Sequence, residues 1–338
     1  MTIEKFRVSN DENIYEAWPD IVQTDSGKLI AIFTECLHHT DRGKSRIVIS
    51  ESTDRGRTWS EKKPFTEIGV KTNFFNCARI SKLNDGTLAV ICDKVIGDEH
   101  SGAEIYIWFG DKEGTHWKEP LILPFCAIVP DKLLQLKSGR LIVCAHFGNK
   151  NSRMVEQYLW YSDDLGKTWS DKIIVAADAR YNLCEASVLE CNDGTLVAFM
   201  RENSNRCYDC FKAISYDSGE TWQGVFEIPI PCCHRPVAGF LKDGRVLMTY
   251  RMCQAGTCWT QNTFMAFFTE EDAKKILRNE QGTRLAPLDY DRNVYPDTGY
   301  TGWTQFDDGE VYIINYIKDD AQKAQIRGYS VNVDEYVL

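Results

Sequence analysis

Residues 52–59 read Ser52-Thr53-Asp54-Arg55-Gly56-Arg57-Thr58-Trp59, and the same pattern, S-x-D-x-G-x-T-W, returns at residues 162–169 and 215–222. Its four fixed residue types suit a tight turn between two strands. The Asp carboxylate accepts backbone N–H groups, the Gly supplies a positive φ, and the Trp packs the turn against its neighbour. The octapeptide therefore predicts a hairpin, and its three copies predict a repeat protein.

A second pattern occurs six times: a short strand, an Asp-Gly, Ser-Gly or similar turn, and a second apolar strand. Its turn glycines are Gly27, Gly86, Gly139, Gly194, Gly244 and Gly309. A period of 50–65 residues with hairpin chemistry indicates about four strands per repeat. We therefore predict an all-β chain, a six-bladed β-propeller of four-stranded antiparallel blades, with residues 1–338 as a single domain.

The octapeptides follow the turn glycines of repeats one, three and four, and a decayed copy at residues 114–117 follows that of repeat two. This order places each octapeptide between the third and fourth strands of its blade, on the outer rim, as a structural device. Helix is scarce. Residues 270–277 are the one stretch that favours a short helix, which we expect between the last two blades, where the repeat spacing is longest.

Composition limits the function classes. A formal net charge of −10 disfavours nucleic acid and anionic membranes as partners. The N-terminus is polar and no run of 18 apolar residues occurs, so we expect a soluble, cytoplasmic protein. Most of the 13 cysteines stand in apolar strand contexts, as buried thiols do. Cys207 and Cys210 form a lone C-x-x-C, with weak partners at residues 232–233, 253 and 258, so we predict neither a metal site nor a cofactor.

The alignment of the repeats indicates which residues face the propeller axis, where propellers bind ligands. Nine positions before each turn glycine stand Trp18, Cys77, Pro130, Glu185, Arg235 and Tyr300. Seven positions after it stand Thr34, Asp93, His146, Arg201, Arg251 and Tyr316. A purely structural lining would be small or apolar. Three arginines beside one glutamate instead indicate mutual neutralisation or a bound anion, for which guanidinium groups are suited.

With these residues in place, the chain resembles the sialidase (neuraminidase) superfamily, whose Asp box has the pattern of the octapeptide. The resemblance covers nearly the whole chain and implies Tyr300 as a nucleophile, Glu185 as its base and Asp41 as the acid/base. It implies Arg201 as a ligand of the substrate carboxylate, while Ala17 stands where the family has its first arginine. The other expected substrate-binding residues are Arg235, Arg251, Asp93, His146, Tyr316, Glu35 and Trp18.

The sequence is compatible with three functions. The first is a retaining exo-glycoside hydrolase on an acidic sugar such as sialic acid. A neutral phenol suits an anomeric carbon that carries a carboxylate, because an Asp or Glu nucleophile would be repelled. The second is a propeller lyase or other glycosidase on uronic-acid glycans, with acid and base chosen among Tyr300, Tyr316, His146 and His234. The third is a non-catalytic glycan-binding propeller.

Overall fold

The computed structural model describes residues 3–97, 103–148, 154–254 and 260–336, and almost all of its regular structure is β-strand. The strands are β1 Glu4–Ser9, β2 Tyr15–Gln23, β3 Leu29–Cys36, β4 Arg46–Ser52, β5 Lys63–Pro64, β6 Asn73–Phe75, β7 Arg79–Lys82, β8 Leu88–Ile96, β9 Ala103–Gly110, β10 Leu121–Cys126, β11 Leu134–Gln135, β12 Leu141–Gly148, β13 Val155–Ser162, β14 Ile173–Ala176, β15 Leu183–Glu190, β16 Leu196–Glu202, β17 Asp209–Ser215, β18 Gln223–Pro231, β19 Cys233–Phe240, β20 Val246–Gln254, β21 Thr260–Phe268, β22 Arg284–Tyr290, β23 Thr298–Gln305, β24 Glu310–Ile317 and β25 Gln325–Asn332. One α-helix, α1, spans Glu270–Lys274, and 3₁₀ turns span Arg278–Glu280 and Val333–Glu335.

These strands form six antiparallel sheets, which confirms the predicted all-β, six-bladed β-propeller fold. Five sheets have four strands; in the sheet of the second repeat the first strand is interrupted, so that β6 and β7 both pair with β8. Contacts divide the chain into two compact units, residues 1–133 with 291–335 and residues 134–290 with 336–338, and each unit holds three of the sheets. Within the described residues, no helix has the length and apolar character needed to cross a membrane.

The first unit contains a strand that the repeat pattern did not predict. β1, near the N-terminus, pairs antiparallel with β25, near the C-terminus, and becomes the outer strand of the sixth sheet, whose order is β1-β25-β24-β23. The two ends of the chain are therefore joined by backbone hydrogen bonds in one sheet, and the outer edge of β25 is covered.

The octapeptide turns have the predicted chemistry. Gly56, Gly166 and Gly219 have φ of +81°, +87° and +92°. In each turn the Asp Oδ1 accepts the Thr backbone N–H at 2.9 Å, and the Trp Nε1 donates to the Gly carbonyl at 3.1–3.2 Å. The turns connect the third and fourth strands of their sheets, as predicted. The decayed copy in the second repeat keeps the arrangement, because Asp111 accepts the Thr115 N–H at 3.0 Å.

The fifth sheet lacks the octapeptide and carries α1 instead, between its third and fourth strands. The expectation of a helix between the last two blades was therefore wrong in place, and the helix is shorter than predicted. The physical reason is a capping box at Thr269: its hydroxyl accepts the Asp272 backbone N–H at 3.0 Å, and Asp272 Oδ2 accepts the Thr269 N–H at 3.3 Å. These bonds start the helix directly after β21.

The first strands of four sheets share a β-bulge. In β2, β15, β19 and β23 two residues oppose one residue of the second strand. The first bulge residues are Trp18, Glu185, Arg235 and Tyr300, and all four have a left-handed φ of +50° to +55°. Bulges redirect side chains, and non-glycine residues adopt this conformation only where the surrounding structure enforces it. The bulge residues are four of the six that the repeat alignment placed toward the axis.

Buried polar groups hold two of these bulges in the first unit. Arg79 is almost wholly buried, and its Nη1 donates to the carbonyls of Pro19 at 3.3 Å and Thr301 at 3.1 Å, the second residues of the β2 and β23 bulges. Its Nε lies 3.4 Å from the buried Asp20 carboxylate. Because Arg79 contacts both bulges, it fixes the backbone that carries Trp18 and Tyr300.

Candidate active site

The second unit gathers the predicted glutamate with one arginine and one histidine. Glu185, on the β15 bulge, accepts a hydrogen bond from Arg201 Nη1 at 3.0 Å, and both side chains are largely buried. The Glu185 backbone N–H points to His146 Nδ1 at 3.3 Å. Burial, together with the charges of Arg235 and Arg201, lowers the pKa of His146 to about 4, against the opposing effect of Glu185. His146 is therefore a neutral acceptor at neutral pH.

Two further arginines belong to the same cluster. Arg235, on the β19 bulge, is completely buried, and its positive charge contributes to the lowered pKa of His146. Arg251 Nη2 lies 3.4 Å from His234 Nδ1. Burial and the charges of Arg201 and Arg251 lower the pKa of His234, so that this ring is neutral and accepts from the guanidinium. The cluster thus combines three guanidinium groups with one carboxylate, an arrangement that favours an anionic ligand.

The first unit gathers the predicted tyrosines around an aspartate. Tyr300, on the β23 bulge, is 8% exposed, and its ring centroid lies 6.3 Å from that of the buried Tyr316. The Tyr316 hydroxyl donates to Asp297 Oδ1 at 2.9 Å, and the Tyr15 hydroxyl donates to Asp297 Oδ2. Burial, Tyr316 and Asp297 all raise the pKa of Tyr15, so it remains a protonated donor.

Trp18 and two residues of the β3–β4 loop complete this group. The Trp18 ring meets the His39 ring edge-on at 5.3 Å and lies 6.0 Å from the Tyr316 ring. The Arg42 guanidinium stacks on Trp18, with Cζ 3.5 Å from the ring centroid. Its Nε and Nη1 are buried without a hydrogen-bond partner among the described residues. Arg42 therefore supplies a cation beside the β2 bulge, next to the position of Ala17, where the family resemblance predicted an arginine.

Three predicted site residues lie outside this group of contacts. Asp41 is exposed in the β3–β4 loop and accepts the Gly43 N–H at 3.0 Å within its own turn. Asp93 is fully buried, where burial raises its pKa and Asn76 Nδ2 donates to it at 3.1 Å. Glu35 pairs with Arg46 and with Lys62, whose Nζ lies 3.1 Å from Oε2. Glu35 thus forms ion pairs with Arg46 and Lys62, and Asp93 is hydrogen-bonded to Asn76, all within the first unit.

The structure brings together Glu185, Arg201, Arg235, Arg251 and His146 in the second unit, and Trp18, Tyr300 and Tyr316 in the first. The predicted partnership of Tyr300 with Glu185 joins residues of different units and stays a prediction. Asp297, His39 and Arg42 were not among the expected site residues. Asp297 lies only three positions before Tyr300, and that proximity was the one signal in the sequence that could have drawn attention to it.

The described cysteines are all free thiols, and most are buried, whereas Cys126 and Cys207 are exposed. Cys258, one of the weak partners of the C-x-x-C pair, lies outside the described residues. Among the described residues, the group with metal-compatible spacing is Cys191, Asp193 and Glu270 rather than the C-x-x-C cysteines. Lys274 Nζ lies 3.0 Å from Asp193 and 3.6 Å from Glu270, so the two carboxylates already have a cationic partner.

Part of the chain matches a known protein family. Residues 80–256, slightly more than half of the chain, match the family described as BNR repeat-like domain. The chain belongs to this family and is a BNR propeller of the sialidase superfamily. A protein named sialidase from Paraclostridium sordellii is 24% identical over 258 residues, which cover 65% of this chain and 59% of the relative. A sialidase from Bacteroides fragilis is 25% identical over 241 residues, 60% of this chain and 42% of the relative. The match spans about half the length of these curated relatives.

Solved structures share the fold across the whole chain. A protein of unknown function from Dyadobacter fermentans superposes with a TM-score of 0.81 at 20% identity, covering 97% of this chain and 98% of that one. The Hadza microbial sialidase Hz136 gives 0.75 at 18% identity, with 98% of this chain and 69% of that chain covered. The intramolecular trans-sialidase from Ruminococcus gnavus gives 0.70 at 14% identity, with 96% of each chain covered. At these identities the likeness establishes the fold alone.

Proposed function

We propose that this protein is a sialidase-type exo-glycoside hydrolase that acts on an acidic sugar, sialic acid or a related compound, with retention of configuration. The observation that carries the proposal is the bulge shared by β15, β19 and β23. It gives Glu185, Arg235 and Tyr300 the same backbone conformation at equivalent positions of their sheets. A base, a cation and a phenol are the groups that such a reaction requires, and the named relatives support the same reaction class.

In this mechanism the Tyr300 hydroxyl attacks the anomeric carbon while Glu185 accepts its proton. The Arg201–Glu185 contact keeps the carboxylate oriented for that step. Arg201, Arg235 and Arg251 bind the substrate carboxylate and favour the cationic transition state. A group of the β3–β4 loop protonates the leaving oxygen and later activates water; the family resemblance implies Asp41 for this role.

Release of 4-methylumbelliferone from its α-N-acetylneuraminide tests the proposal. We expect turnover by the wild type and a loss of at least ~100-fold in kcat for Tyr300→Phe. Tyr295→Phe is the matched control, since Tyr295 is a nearby tyrosine of the same segment and is 78% exposed. It should retain wild-type activity.

A mechanism-based fluorosialyl inhibitor adds a direct reading, because the covalent adduct should map by mass spectrometry to the peptide that contains Tyr300. Full activity of Tyr300→Phe would disprove the nucleophile assignment. Binding of the sugar acid without turnover would indicate a glycan-binding propeller. An unsaturated product from a uronic-acid glycan, seen by its near-ultraviolet absorbance, would indicate a lyase.

A further inference from the structure

An aspartate and a histidine that the proposed mechanism does not use form a pair in the first unit. His39 Nδ1 lies 2.9 Å from Asp297 Oδ2, although the residues are 258 positions apart in the chain. The His39 side chain is 40% exposed. Its Nε2 has no hydrogen-bond partner in the part of the chain that the structure describes. The imidazole is thus held at Nδ1 by the Asp297 carboxylate and by the Tyr15 hydroxyl, which lies 3.1 Å from the same nitrogen, and is open at Nε2.

The carboxylate is itself held in place. Tyr316 donates to Oδ1 at 2.9 Å, Tyr15 donates to Oδ2, and the Asp297 backbone N–H donates to Asp291 Oδ2 at 2.9 Å. Both phenols are buried. Because two fixed phenols donate to the Asp297 carboxylate, the carboxylate has a fixed orientation. It can therefore accept a hydrogen bond from His39 only from a defined direction, which determines where the His39 ring lies.

The ring orientation gives His39 the properties of a proton-transfer group. A carboxylate at Nδ1 fixes a proton on that nitrogen, which leaves Nε2 as the atom that gives and takes a proton. His39 also lies beside the group that contains Tyr300: Asp297 binds Tyr316, whose ring packs against that of Tyr300. By contrast, Asp41 uses Oδ1 to close its own exposed turn.

We infer that His39, positioned by Asp297, is the proton donor and acceptor at the leaving oxygen, in the place that the family resemblance gives to Asp41. The inference rests on the proposed function. In the first step the Tyr300 oxygen forms a bond to the anomeric carbon, the glycosidic C–O bond breaks, and the leaving oxygen takes the Nε2 proton. Glu185 takes the phenol proton. In the second step water attacks the anomeric carbon and gives its proton to Nε2, and the departing Tyr300 oxygen regains its proton from Glu185.

The test compares leaving groups. Sialyllactose needs its sugar alkoxide protonated as it leaves, whereas 4-methylumbelliferone leaves as a stabilised anion and needs little help. For His39→Gln we expect kcat/KM to fall by at least ~100-fold on sialyllactose and by less than ~10-fold on the umbelliferyl substrate. His38→Gln is the matched control, because this neighbouring histidine is exposed and its Nδ1 faces Thr40 Oγ1 at 3.1 Å in the same loop. It should be near wild type on both substrates. Asp41→Asn is measured beside it, because the family resemblance implies Asp41 for the same role.

Asp297 is tested as a positioning residue by its coupling to His39. Asp297→Asn should show the same selective loss on sialyllactose, and the double variant His39→Gln/Asp297→Asn should be no worse than the single variants, because both changes disable one unit. If Asp297 had only a structural role, Asp297→Asn would lower kcat/KM on both substrates alike, and its effect would add to that of His39→Gln. Circular dichroism and urea midpoints confirm that the variants compared are folded.

The outcomes separate the inference from the function it rests on. An active wild type whose His39→Gln variant behaves like His38→Gln overturns the inference and leaves the proposed hydrolase intact. The same follows if Asp41→Asn alone shows the leaving-group selectivity. A wild type that turns over neither substrate refutes the proposed function, and the role of His39 is refuted with it.

Discussion

Replacement of Gly56 by alanine tests why the octapeptide needs its glycine. Gly56 has φ +81°, and a Cβ added there would lie 2.3 Å from Cζ of the buried Tyr312, whose hydroxyl donates to the Gly56 carbonyl at 2.7 Å. The left-handed φ costs an alanine about 1–2 kcal/mol, the overlap about 1–3 kcal/mol, and the disturbed hydrogen bond about 1 kcal/mol. We therefore expect Gly56→Ala to lower the free energy of unfolding by about 3–6 kcal/mol.

Two other glycines separate these causes. Gly219 occupies the same octapeptide position with φ +92°, and its added Cβ would meet nothing closer than Leu196 at 3.5 Å. Gly139 has φ +95° with nothing within 4 Å. Both alanine variants should lose only the about 1–2 kcal/mol of the backbone conformation. Urea unfolding followed by circular dichroism measures all three. Equal losses for Gly56→Ala and Gly219→Ala would show that Tyr312 relaxes at no cost, and would refute the close-approach argument.

Three more predictions concern the site and its support. The pKa of His146 is about 4 in the folded chain against 6.5 unperturbed, so the native state binds fewer protons than the unfolded state. The free energy of unfolding should therefore fall by about 3 kcal/mol as the pH drops from about 6.5 to about 4. Urea unfolding at a series of pH values should show this dependence in the wild type and lose it in His146→Gln. Arg79→Met should lower the free energy of unfolding by about 3–5 kcal/mol, because it leaves the buried Asp20 carboxylate without this partner. Lys82→Met breaks a surface pair with Asp25 and should lower it by less than about 1 kcal/mol in the same assay. Arg42→Gln should raise KM for the acidic substrate at least ~10-fold, while Lys44→Gln in the same loop leaves KM unchanged; equal effects would show that Arg42 contributes only general charge.

Much of the fold follows from turns, and each turn is specified by eight or fewer consecutive residues. All six turn glycines of the second pattern have φ between +86° and +95°, and the octapeptides close their turns with hydrogen bonds between residues four or fewer positions apart. Because each such interaction is local, the sequence predicts it without knowledge of distant contacts. The regular spacing of these turns then predicts the number of blades, and the position of each residue relative to its turn predicts which residues occupy equivalent places in their sheets.

The place of the helix depends on contacts between residues that are far apart in the chain. Residues 270–277 favour a helix by composition, but its place within the fifth sheet depends on where β21 ends and on Lys212, whose Nζ donates to the Ala273 carbonyl at 2.6 Å and to Gln281 Oε1 at 2.9 Å. Burial lowers the pKa of Lys212 to about 7. A buried amine that caps a distant helix leaves no periodic signal in the sequence.

The sequence alone determines that this protein is a propeller of repeated four-stranded sheets, and it marks Glu185, Arg235 and Tyr300 as equivalent positions, because strands and turns are set by neighbours along the chain. Only the tertiary structure decides that β1 pairs with β25, and which side chains form hydrogen bonds with each other at the site. The His39–Asp297 contact spans 258 positions. It arises from two loops that meet only once their sheets have formed, so the chemistry of that contact belongs to the fold rather than to any segment.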